Sequence, residues 1–168
     1  MAAVSAYICL KSKGIPKCIA HTIIIHAFAS EEILLEIIDS GTYISLDQAK
    51  ILIRECTDVR SAMIDAVIAG QINIIKAFDI TSLRGFEQLL MKKAAIYGHL
   101  DIMRYFISIN LHKDLELCFI IGTAAVEGHL PIVKYLCPLV KNLRRSFILE
   151  IVLSALRKDV IDYLSEKN

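Results

Sequence analysis

The chain has 168 residues, 55% of them apolar, and its 19 basic side chains against 18 acidic ones leave a formal charge of +1. That length holds one domain with a continuous core, that composition excludes a disordered chain, and that charge excludes a strong field for drawing in nucleic acid or an anionic bilayer. The longest run without a charged residue, Cys18 to Ser30, has 13 residues and includes His21 and His26, short of the roughly 20 apolar residues that span a bilayer.

In chain order, Met1 to Leu10 carries no basic residue ahead of its apolar stretch, unlike a secretory signal, so a cytoplasmic protein is expected. Cys9, Cys18, Cys56, Cys118 and Cys137 are odd in number and mostly lie in apolar surroundings, as reduced thiols do. Cys9, Cys18, His21 and His26 place four zinc-type ligands within 18 residues. The Cys9 to Cys18 gap exceeds a zinc knuckle, however, and histidines five apart point in different directions on a helix. Packing roles are therefore expected for the four, with a small zinc-dependent regulator as a rival reading and no cofactor required.

Ser30-Glu-Glu-Ile-Leu-Leu-Glu-Ile-Ile38 aligns with Gly70 to Phe78 at an offset of 40, which makes residues 16–40 a degenerate unit ending in a second helix. An inserted helix at about 45–55 fills the excess, opened by the capping-box pattern Ser45-Leu-Asp-Gln48. Three clear copies follow, at 57–80, 84–109 and 114–137. Their shared segments are Ala66 to Phe78, Ala94 to Phe106 and Ala124 to Leu136, with Gly70, Gly98 and Gly128 spaced 28 and 30 residues apart. Such a period holds two helices of about ten residues joined by short turns.

In each copy the Gly ends the first helix in a left-handed C-cap, and the small residue four before it lets a neighbouring helix approach. Asn73, Asp101 and Pro131, three after each Gly, mark the start of the second helix by capping or by fitting its first turn. Ile74-Ile-Lys-Ala-Phe78, Ile102-Met-Arg-Tyr-Phe106 and Ile132-Val-Lys-Tyr-Leu136 then bury a stripe and expose a cation. A weaker copy fills 143–168. There Leu156 stands where the Gly was, Arg157 to Asp159 flank it, and Val160 to Leu164 repeat the second helix. None of these units can bury its apolar face alone, so the expected fold is one all-α domain over 1–168, a solenoid of four or five helix pairs.

Gly98-His-Leu-Asp-Ile-Met-Arg-Tyr-Phe106 and Gly128-His-Leu-Pro-Ile-Val-Lys-Tyr-Leu136 resemble the ankyrin repeat, whose pattern runs small-small-x-x-Gly-His-x-x-apolar-Val-basic-x-Leu. The likeness covers about 57 to 137. Where ankyrin units open with Thr-Pro-Leu-His, these read Ser61-Ala-Met-Ile64, Leu89-Leu-Met-Lys92 and Phe119-Ile-Ile-Gly122, and abbreviated loops follow from the short period. Such copies are similar to those of ankyrin-like proteins of large DNA viruses and intracellular bacteria, which implies a host-modulating role inside a host cell.

The resemblance implies a non-enzymatic module that binds another protein through its first helices. Asp65 and Ala69, Lys93 and Tyr97, and Thr123 and Glu127 stand five and one before their glycines. Lying four apart, the two residues of each pair share a helical face, and they differ in chemistry from copy to copy. His99 and His129, recurring at a helix junction, are expected to bond local backbone groups rather than to form a catalytic pair. No phosphate loop, nucleophile elbow or metalloprotease motif is present. Lys141, Arg144, Arg145, Arg157 and Lys158 form a basic cluster, read as a solvated face. A monomer or weak homodimer is expected, and the rival function is self-association through exposed apolar surface.

Overall fold

The computed structural model describes residues 13–14, 16, 31–54, 56–79, 85–109, 114–140, 148 and 157–166, and every regular element among them is helical. Contacts gather into two compact units, Met1–Leu83 and Arg84–Asn168.

In the first unit, α1 (Glu31–Ser40) and α2 (Leu46–Ile53) form one hairpin, and α3 (Val59–Ile68) and α4 (Ile72–Ala77) form the next. The capping box forms as the sequence requires: the Ser45 amide donates to Gln48 Oε1 at 2.9 Å, and the Gln48 amide donates to Ser45 Oγ at 3.3 Å. Asp58 caps α3 by accepting from the Ser61 amide at 3.0 Å.

The place of α1 in the repeat differs from the expected one. Gly41, at φ 63°, ends α1 as Gly70, at φ 74°, ends α3. The Thr42 amide closes on the Ile37 carbonyl at 3.2 Å, as the Gln71 amide closes on that of Ala66 at 2.9 Å. Ile33, Leu34, Ile37 and Ile38 are buried in the register of Ala62, Met63, Ala66 and Val67, each 29 residues later. Helix α1 is thus a first helix at an offset of 29, packed on α3, and α2 is its second helix, packed on α4, rather than an insertion.

The second unit repeats the plan with α5 (Glu87–Tyr97) and α6 (Leu100–Ser108), then α7 (Asp114–Glu127) and α8 (Leu130–Leu136). A 3-10 turn at Cys137–Leu139 and α9 (Lys158–Glu166) complete it. First helices α5 and α7 pack side by side, each against its own second helix, and α8 contacts both α6 and α9. Gly98 and Gly128 are left-handed at φ 77° and 83°, and the His99 and His129 amides close the turns on Ala94 and Ala124 at 3.0 and 2.8 Å.

The second helices bury the stripe that the spacing demands. Ile74, Ile75 and Phe78, Ile102, Met103 and Phe106, and Ile132, Val133 and Leu136 are buried, as are Val160 and Leu164, while Lys76, Arg104 and Lys134 stay exposed. Each buried Leu, Ile or Phe side chain contributes on the order of 1.5–3 kcal/mol. The N-caps of these helices lie two residues before the expected ones, at Gln71, His99 and His129, none of which makes a side-chain capping bond. Asn73 lies inside the first turn, and its Nδ2 donates instead to the Ile44 carbonyl at 2.9 Å, tying α4 to the turn that leads into α2.

Candidate binding face

The buried registers of α5 and α7 coincide. Leu90, Met91, Ala94 and Ala95 in one and Ile120, Ile121, Ala124 and Ala125 in the other are all at most 1% exposed. That leaves the positions nine, five and one before each glycine facing out, four apart along one helical face. On α5 these are Leu89, Lys93 and Tyr97, and on α7 they are Phe119, Thr123 and Glu127. Tyr97 is 46% exposed, Leu89 40% and Phe119 63%, so three large apolar side chains meet solvent on two adjacent helices. Lys92 and Glu127 are exposed, Lys93 is half-buried, and none of the three has an ion-pair or hydrogen-bond partner among the residues whose side chains are described. Thr123 is less available, because its Oγ1 donates back to the Phe119 carbonyl at 2.9 Å.

The same positions in the first unit carry a different surface. Asp65 is half-buried and Ala69 exposed on α3, joined by exposed Ser61 nine before Gly70, and α1 presents Glu32, Glu36 and Ser40. The sequence pattern found Asp65, Ala69, Lys93, Tyr97, Thr123 and Glu127 but passed over Leu89 and Phe119. An apolar residue inside an apolar helix reads as core, and only its register against Gly98 and Gly128 shows otherwise.

Two contacts hold consecutive hairpins of the second unit in register. His129 Nε2 donates to the Ile96 carbonyl of the preceding first helix at 2.8 Å; a carbonyl only accepts, so the Nε2–H tautomer is fixed. The recurring histidine therefore does bond backbone, although 33 residues away rather than locally. Just ahead of α9, Arg157 Nε donates to the Val126 carbonyl at 2.9 Å, so an arginine meets the end of α7 as His129 meets the end of α5. Alongside, Arg104 of α6 lies 5.5 Å from the ring centre of Tyr135 in α8, and Lys134 of α8 lies 5.5 Å from that of Tyr163 in α9. Glycine is needed at 98 because a Cβ there would lie 2.6 Å from two atoms of the His129 ring.

A polar knot in the first unit fixes the entry to α3. The Glu31 carboxylate accepts from the Thr57 amide at 3.3 Å, from the Thr57 hydroxyl and from the Asp58 amide at 3.3 Å. The Thr57 hydroxyl, then the two amides, hold the Glu31 carboxyl below its ordinary pKa. Burial, with Glu31 and Asp58 nearby, pushes the Cys56 thiol up, so that it stays protonated and is a poor nucleophile. Cys56, Cys118 and Cys137 are free thiols.

Cys9, Cys18, His21 and His26 lie outside the described residues, as do Lys141, Arg144 and Arg145. Among the described residues no group of three metal-type ligands comes together, and no helix is long and apolar enough to cross a membrane. In the basic cluster, Lys158 is exposed and Arg157 is engaged at the hairpin joint.

The class these observations define is an all-α protein whose helical hairpins recur in sequence and in buried register. Part of the chain is similar to alpha-latrotoxin-Lh1a of Latrodectus hasselti, with 37% identity over 89 residues; the aligned part makes up 49% of this chain and 6% of that protein. The chain thus spans a small fraction of the relative's length. No protein-family model and no solved structure matches the chain.

Proposed function

We propose that the chain is a non-enzymatic protein-binding module, an ankyrin-like array of helical hairpins whose outward first-helix residues contact a partner protein. The observation that carries this reading is the exposure of Leu89, Tyr97 and Phe119 on helices whose other apolar residues are repeated and packed. Large apolar side chains on rigid neighbouring helices supply contact area at low entropic cost, and aromatic anchors of this kind dominate binding energies. The reading also draws on the ankyrin likeness around Gly98 and Gly128, whose concave first-helix surfaces bind proteins in that family. Cytoplasmic residence and a host-modulating role belong to the same proposal.

Capture from lysate by tagged wild type and by a Tyr97→Ala/Phe119→Ala variant with an unchanged melting curve tests it. A partner retained by the first and lost by the second is the expected result; identical captures overturn the assignment of the face. The same exposed apolar residues also suit self-association. Light scattering separates the two, since a stable dimer over the working range favours self-association and a monomer leaves the face free.

A further inference from the structure

The α5/α7 face combines the apolar side chains Leu89, Tyr97 and Phe119 with Lys93, and with Lys92 exposed beside it; neither lysine has a carboxylate partner among the residues whose side chains are described, a set that excludes Asp114 and Glu116. Its counterpart on α1 and α3 is acidic and small, with Glu32, Glu36 and Asp65 and neither lysine nor aromatic residue at the outward positions. We infer that the α5/α7 face recognises an acidic segment of a partner protein, one that seats an aromatic or aliphatic side chain against Leu89 and Phe119 and sets carboxylates against Lys92 and Lys93. This rests on the proposed protein-binding role and names the class of partner.

Charge complementarity selects that occupant over others. Anionic bilayers are bound by clusters of about four to eight cations, and nucleic acid by similar numbers of phosphate contacts; this face has two lysines and also bears Glu127. A second copy of the chain offers the acidic side of α1, where the apolar residue is Leu35, 37% exposed; Tyr43 and Leu46 lie beyond its end, in the turn and at the start of α2, rather than among the carboxylates of α1. The lysines would also steer the segment, since a basic one meets repulsion at the α5/α7 face and an acidic one meets repulsion at α1 and α3.

The test uses the full chain. Random displayed peptides of about twelve residues are selected on wild type, and binding of the enriched peptides is measured by fluorescence anisotropy. Enrichment of peptides joining an aromatic or leucine residue to two or more carboxylates is expected. Their affinity should fall roughly tenfold in Lys92→Glu/Lys93→Glu and in Phe119→Ser, and stay level in Lys50→Glu, an exposed cation on α2. All three sites are exposed or half-buried, and superimposable melting curves establish that the variants fold; the lysine pair carries the test if Phe119→Ser does not.

Neutral or basic peptides that lose binding in Phe119→Ser but not in the lysine variant would overturn the acidic assignment while leaving a protein-binding face in place. Failure to enrich any peptide on folded, monomeric protein would overturn both. Binding to phosphatidylserine-containing vesicles, abolished by the lysine changes, would overturn the inference in favour of a bilayer. Concentration-dependent mass in sedimentation, removed by Leu35→Ser or Phe119→Ser, would overturn it in favour of a second copy.

Discussion

Helix α3 of the first unit and helices α5 and α7 of the second share an interior and differ in exterior. Ala62, Met63, Ala66 and Val67 are buried in the register of Leu90, Met91, Ala94 and Ala95, and of Ile120, Ile121, Ala124 and Ala125. Outside, the positions held by Ser61, Asp65 and Ala69 in α3 are held by Leu89, Lys93 and Tyr97 in α5 and by Phe119, Thr123 and Glu127 in α7. The contrast teaches that the periodic part of this sequence encodes packing, while departures from the period carry what the surface can recognise. The joints differ as well: the second unit ties hairpins together with His129 and Arg157, the first with Asn73 and Glu31.

The largest effect that would break the comparison is at the two kinds of phenylalanine. Phe106 is fully buried, and Phe106→Ala is expected to cost about 3–5 kcal/mol in urea unfolding. Phe119→Ala should stay within about 0.5 kcal/mol of wild type. Similar losses at both positions would mean that the α7 face is packed in solution and not free.

Next are the glycines that end α5 and α7. Gly98→Ala meets both the left-handed backbone and the His129 ring, whereas an added Cβ at Gly128 finds the Arg157 guanidinium at 3.4 Å, ordinary contact. The expected losses are roughly 2–3 kcal/mol at Gly98 and about 1 kcal/mol at Gly128, read from thermal and urea midpoints. Equal losses would show that the ring moves aside without cost.

A smaller effect is expected at His129. Removing its side chain leaves the Ile96 carbonyl without its donor, and His129→Ala should cost about 1–2 kcal/mol, with part recovered in a donor-bearing His129→Gln. Asn73→Ala, at the first unit's own joint, should lose a comparable amount through Ile44. A loss at only one of them would show that the other contact does not hold its hairpins together.

The smallest effect is on pH dependence, and it sharpens the contrast between the units. Because the Glu31 carboxyl is held below its ordinary pKa in the fold, its knot contributes stability above the ordinary carboxylate value. That contribution is lost as pH falls through the lowered folded value. The melting temperature of Glu31→Gln should therefore approach that of wild type in acid and fall below it near neutrality. A constant gap across the range would show that the carboxylate charge has no part in holding Thr57 and Asp58.

Much of the fold was legible because glycine, small residue and apolar stripe each answer to a local rule. The capping box at Ser45 and Gln48, the left-handed turns at Gly70, Gly98 and Gly128 and the exposed cations Lys76, Arg104 and Lys134 all follow from spacing. Helix α1 was misread because Ile33-Leu-Leu-Glu-Ile-Ile38 is apolar in two overlapping registers, and an offset of 40 satisfies one as well as 29 satisfies the other. Gly41 decides between them only when its turn is seen. The acceptors of His129 and Arg157 were beyond sequence reasoning for another reason: both are carbonyls of the preceding hairpin, and a carbonyl leaves no trace in residue identity. On the face, Lys93 and Tyr97 stood out by polarity and spacing, while Leu89 and Phe119 were camouflaged by their apolar neighbours.

The joint at Ile96 and Val126 has an evolutionary corollary. A main-chain oxygen places a demand on hydrogen-bonding capacity and none on side-chain identity, and this chain meets it once with imidazole and once with guanidinium. The hydrogen bond itself thus asks nothing of the neighbour's side chains, although the imidazole version also requires glycine at 98 to clear the ring. A donor of sufficient reach is therefore the part of this joint that can change chemistry, from a ring to a guanidinium, while the main-chain acceptor stays the same.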